Sequence, residues 1–179
     1  MSKSKHIYRP VWAAALVAGL LAGCSSVEVS RGPGFSAEDG LAVLPIVNYT
    51  ETPDAGHRAR SIAQSILYQK GFTSLQTYPQ EESADLLMTA RADRLQQQAL
   101  EWARQNGARY ALTGAVQEWR YKVGLDGEPV VGLTLNLIDL SSAEVVWSAT
   151  GSRSGWSRSS LSGVGQSLIK EMLDPLAVR

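Results

Sequence analysis

The sequence predicts a mixed α/β (α+β) domain, a mostly antiparallel sheet with helices on one face, in the element order β-α-β-α-β-β-β-α. Three observations carry this reading. Val131, Leu133, Leu135 and Leu137 alternate with smaller or polar residues at the period of a strand. Asp126-Gly127 lies between two strand-like runs, where it signals a hairpin turn. Three other stretches carry apolar residues at helical spacing, each closed by Gly or Pro.

The chain begins with a leader. Lys3, Lys5 and Arg9 precede Val11 to Ala22, an uncharged and mostly apolar run of 12 residues. Such a run falls short of the roughly 20 residues that span a bilayer and suits a signal peptide, assigned to residues 1–23. It ends in Leu21-Ala22-Gly23-Cys24, which resembles a bacterial lipobox, and Cys24 is the one cysteine of the chain. Cys24 is therefore expected to carry a covalent lipid, and no other cofactor is expected. Buried acyl methylenes contribute about 0.8 kcal/mol each, enough for several chains to anchor the protein. Ser25 in place of Asp favours the outer membrane, at its periplasmic face.

Residues 25–40 contain three Gly and one Pro without a sustained period, and with Cys24 they read as a flexible tether. Its r.m.s. reach is about 20–25 Å. A single domain is expected over 41–179. Leu41 to Val47 predicts a strand, with Pro45 marking an edge or a bend. A helix is expected from His57 to Lys70, a strand from Phe72 to Tyr78, and one helix or two abutting ones from Glu81 to Asn106. Three strands follow, Tyr110 to Val123, Val130 to Leu140 and Glu144 to Thr150. A polar loop, Gly151 to Ser160, leads to a last helix from Leu161 to Leu173, stopped by Pro175. In Glu118-Trp119-Arg120-Tyr121-Lys122, Trp119 and Tyr121 are expected on the core side.

Composition narrows function. The 179 residues are 44% hydrophobic and 19% charged, as in globular proteins. Seventeen basic residues balance seventeen acidic ones, which argues against nucleic acid. Loss of the leader removes three basic residues and leaves a net charge of −3. With one Cys and two His, neither a disulfide framework nor a multi-ligand zinc site is expected, and no metal. His57 reads as a solvated surface residue, and Glu81-Glu82 suits the start of a helix. No nucleophile elbow, dinucleotide loop or acid/base constellation is present, so no enzyme is expected.

Two features invite a functional reading. Trp156 lies in Ser152-Arg153-Ser154-Gly155-Trp156-Ser157-Arg158-Ser159, among small polar residues. Its apolar body and N–H suit a membrane–water interface or a partner pocket, and a fold back into the core is the alternative. Arg153 and Arg158 flank it, within reach of lipid phosphates. Asp126 and Glu128 make an acidic hairpin tip, ordinary in a monomer. In a closed ring the same charges line one mouth and draw in cationic solutes.

The lipobox, Leu41-Ala-Val-Leu-Pro-Ile-Val-Asn48, Gln117-Glu-Trp-Arg-Tyr-Lys122 with Gly127-Glu-Pro129, and Trp147-Ser-Ala-Thr-Gly-Ser-Arg-Ser-Gly-Trp156 together resemble the PelC family. These are small outer-membrane lipoproteins of Pel exopolysaccharide export, similar in fold to the amino-terminal domain of TolB. The resemblance implies a ring of self-associated copies, a dodecamer, beside the β-barrel exporter PelB. It implies a Trp belt at the bilayer and an electronegative funnel for a cationic polysaccharide. Trp156 matches the belt and Asp126 the funnel; Trp147, the second choice for the belt, suits core packing better. The alternative is another periplasmic lipoprotein adaptor on a TolB- or CsgG-like scaffold, a secretion-pore subunit or a cell-wall synthase activator. A hydrolase of the polymer has the weakest support.

Overall fold

Strand pairing in the computed structural model organises the chain from its second half outward. The described residues are 25–36, 38–79, 89–124, 127–156 and 158–178. The expected signal peptide, Cys24, Glu81, Glu82 and Asp126 lie outside them. Nine elements are described: β1 Ser25–Val29, β2 Leu41–Asn48, α1 Ala55–Gln69, β3 Leu75–Thr77, α2 Thr89–Gln105, β4 Tyr110–Tyr121, β5 Pro129–Asp139, β6 Glu144–Ser154 and α3 Leu161–Leu173. The strands form one sheet in the order β1-β6-β5-β4-β2-β3. β2 runs parallel to β3 and β4, and every other pairing is antiparallel. The mixed α/β class holds, with one more strand at the front than expected.

That strand corrects the reading of residues 25–40 as a tether. β1 pairs with β6 from Ser25↔Arg153 to Val29↔Ala149. Phe35 is buried, its ring edge-on to Phe72 at 5.1 Å and to Tyr110 at 5.2 Å. Asp39 accepts from the Ser36 backbone N–H and pairs with Arg109 at 2.8 Å. That N–H, followed by the Arg109 guanidinium, holds the Asp39 carboxyl below its ordinary value. The physical reason for the correction is long-range. Val27 and Val29 are too few to show a period, and the edge they pair with is more than a hundred residues away. The same pairing extends β6 through Gly151–Ser154, which the sequence had suggested as loop.

The helices lie on both faces of the sheet, not on one. Leu41, Val43 and Ile46 of β2 join the large core with the apolar sides of α1 and α3. Ala42 and Leu44 point the other way and pack with Ala99 and Ala103 of α2, Ala111 and Leu140. A strand covered on both sides has a nearly continuous apolar sequence, as Leu41-Ala-Val-Leu-Pro-Ile-Val does. Pro45 does mark a bend, since the β2–β4 register shifts between Val43 and Ile46. The buried Thr113 hydroxyl donates to the Pro45 carbonyl at 3.0 Å and accepts from the Gln96 amide at 2.8 Å, tying α2 to the bulge.

A second register shift falls between Val116 and Glu118, and beyond it the placement of Tyr121 is corrected. The extra residue, Gln117, lets Trp119 enter the core completely; Tyr121, expected beside it on the core side, shares that face but lies at the last pair of the sheet and is half exposed. Trp147 is buried in the core, as its strand context predicts. Val131, Leu133, Leu135 and Leu137 all face the α1–α3 side and are buried. α3 spans the expected residues, its Ser160 side chain accepting from the Gly163 N–H. The opposite face of β1, β6 and β5 is polar. There Gln117, Thr134 and Thr150 are linked by side-chain hydrogen bonds along a shallow trough of about 520 Å³.

Candidate functional site

The register places the described candidate residues at one end of the sheet. Ser25, the residue bonded to Cys24, lies opposite Arg153, which lies opposite Val131, itself paired with Trp119. One step outward, Ser154 pairs with Val130 and Val130 with Arg120. Next, the Gly155 N–H donates to the Pro129 carbonyl, and Pro129 pairs with Tyr121. Then come Trp156 on one side and Lys122, whose N–H donates to the Glu128 carbonyl, on the other. The start of β1, the loop after β6 and the β4–β5 connection therefore share an end.

Trp156 is 55% exposed, so it does not fold back into the core. Its carbonyl accepts from the Ser159 N–H in a short turn that leads to α3. Arg158 is exposed beside it. Arg153 differs from the expectation of a side chain directed to lipid phosphates. It is an inward position of β6 facing α3, where its guanidinium bonds the Glu171 carboxylate and the Ser25 hydroxyl. The ion pair links β1, β6 and α3. Gly151 sits on that same inward face, where a Cβ would lie 3.0 Å from Leu168 and 3.1 Å from the Ser26 carbonyl. The small residues of the 147–156 block thus let α3 and β1 close on β6.

The acidic tip is partly compensated. Glu128 lies 3.5 Å from the Lys122 ammonium across the connection, and Glu118 pairs with Arg120 at 2.8 Å. Lys122, Asp126 and Glu128 together leave one formal negative charge per copy. Among the described residues no group of three or more His, Cys, Asp or Glu is placed to hold a metal, and no helix is long and apolar enough to cross a membrane.

Two further residues are exposed at this end, one passed over in the sequence and one expected on the core side. Val123 is 99% exposed and Tyr121 half exposed, its hydroxyl accepting from the Leu161 N–H at the start of α3. The signal for Val123 was there to find, as an apolar side chain between Lys122 and Gly124 in a turn. The signal for Tyr121 was not, because it depends on where the β4–β5 pairing ends.

Residues 35–152, about two thirds of the chain, match the family described as peptidoglycan-synthase activator LpoB. A PelC from Paraburkholderia phytofirmans, crystallised as a dodecamer, is 50% identical over 87% of this chain and 99% of its own, with a TM-score of 0.75. A point variant of that PelC, again a dodecamer, is 49% identical with a TM-score of 0.76, over 87% of this chain and all of its own. A lipoprotein from Neisseria meningitidis, 15% identical over 76% of this chain and 96% of its own, shares the fold with a TM-score of 0.53. No curated protein matches the sequence. By the length of the first match and the identity of the second, the chain belongs to the family described by the LpoB model and to that of the PelC proteins.

Proposed function

We propose that the chain is a non-enzymatic, lipid-anchored subunit of a closed ring under the outer membrane, which guides a cationic exopolysaccharide, Pel, to its β-barrel exporter PelB. The observation that carries this reading is 50% identity, over nearly the whole mature length, to a chain that assembles as a dodecamer. The lipobox ending in Cys24 supplies the anchor, and exposed Trp156 the contact with the bilayer interface. Arg158 accompanies Trp156 at the lipid phosphates, whereas Arg153 holds the fold that presents them. One residual negative charge per copy at the Asp126 turn becomes a ring of like charge when copies close. Such a ring concentrates a polycation by its field.

The family match to LpoB favours a second reading, an adaptor that activates a cell-wall synthase. Native mass spectrometry of the detergent-solubilised mature protein separates the two. The ring reading expects a species near twelve subunit masses, and a monomer at micromolar concentration overturns it. Within the ring reading, Asp126→Lys should lower polymer output at unchanged oligomer size. Normal export by that variant removes the funnel role.

A further inference from the structure

The tether expected after Cys24 does not exist as a spacer, and this fixes how the domain meets a bilayer. Ser25 is already in the sheet, so the residue bonded to Cys24 is itself paired to β6. Three register steps, about 10 Å along the strands, separate Ser25 from Trp156. Acyl chains starting there must enter the membrane at this end of the sheet. The same end carries three of the six exposed large apolar side chains among the described residues: Tyr121, Val123 and Trp156. Tyr121 is fastened to the start of α3, so the end of β4 and the Trp156 loop are braced against each other.

We infer that the end of β4, through Val123 with Tyr121 beside it, is a second membrane-contacting element. The sheet stands end-on to the bilayer, with Val123 and Trp156 entering the same leaflet on either side of the acyl attachment. The occupant of this apolar end is a lipid surface, because the lipid-bearing residue is bonded to its edge. A side chain exposed to 99% gains nothing from the fold of its own chain. Water-facing Val at a turn becomes favourable when it leaves water for the acyl boundary, a depth of about 5–10 Å. Lys122 next to it is long enough to keep its charge among headgroups. The inference rests on the proposed acylation of Cys24 and interfacial role of Trp156.

Its test uses the mature lipoprotein in vesicles of phosphatidylethanolamine and phosphatidylglycerol. Acylation consumes the Cys24 thiol, so a single polarity-sensitive fluorophore can be attached through Val123→Cys, through Arg158→Cys beside Trp156, or through Val145→Cys. Val145 is exposed at the opposite end of β6, about 30 Å away, and serves as the control. Expected is several-fold loss of quenching by aqueous iodide at 123 and 158 on vesicle binding, quenching at both by shallow spin-labelled lipid, and no change at 145. Lipid contact at 158 with position 123 still open to iodide overturns the second element and leaves the Trp156 reading standing. Contact at neither position overturns both. Val123 packs against nothing, so the variant should keep its circular dichroism, and Val123→Asp should shorten residence on vesicles without changing it.

Discussion

Phe35→Ala separates a structured amino-terminal segment from a tether. The Phe35 ring is 1% exposed and meets Phe72 and Tyr110 edge-on at 5.1 and 5.2 Å. Truncating a buried Phe costs about 3–5 kcal/mol, to which each aromatic pair contributes about 0.5–1.5 kcal/mol beyond its area. For a chain of this length 1 kcal/mol moves Tm by about 2–4 °C, so the expected fall is about 6–20 °C. The assay is urea and thermal unfolding of the mature chain by tryptophan fluorescence. Protein concentration must be fixed, because assembly adds to apparent stability. Arg31→Ala, exposed in the same segment, is the internal control and should stay within about 0.5 kcal/mol. If Phe35→Ala costs no more than Arg31→Ala, residues 25–40 are a tether after all, and the anchoring geometry built on β1 fails with it.

Trp156→Ala should weaken vesicle association while leaving unfolding within about 0.5 kcal/mol, because the side chain is half exposed; unchanged partition moves Trp156 to a protein interface. A Cβ at Gly165 would lie 2.4 Å from the far edge of the buried Trp119 ring, so Gly165→Ala should destabilise by up to about 2 kcal/mol despite its better helix propensity. Trp119→Phe in the same chain should absorb part of that cost in a double-mutant cycle, and strict additivity refutes the contact. Asp39 has its folded-state pKa lowered, so its contribution is present above the unfolded value of 3.8 and is lost as pH falls through the folded value. Asp39→Asn should therefore flatten the acid limb of the stability profile below pH 3.8 and leave its shape at neutral pH unchanged, as acid titration of unfolding will check.

Much was legible in the residues themselves, because helices and hairpins are written in nearby positions. The inward set of β5 follows from period-two alternation, and α3 from its apolar stripe and Pro175. The lipobox is a contiguous word of four residues, and Trp156 stood out as an aromatic that no local element would bury. These are properties of sequence neighbours, and among the described residues folding did not change them. Tertiary structure decided what depends on distant partners. Whether Ser25–Val29 is a strand depends on an edge of β6 far along the chain, and Phe35 is core because Phe72 and Tyr110 leave room for its ring. α2 crosses to the second face because β2 is apolar on both of its sides, and the two bulges redirect Pro45 and Trp119 by adding one residue to a register. Arg153 looks free in a list of residues and is spoken for once α3 brings Glu171 beside it. Backbone pairing and side-chain contact over such separations leave no periodic trace, so the meeting of Ser25, Trp156 and Val123 at one end of the sheet could be read from the folded chain alone.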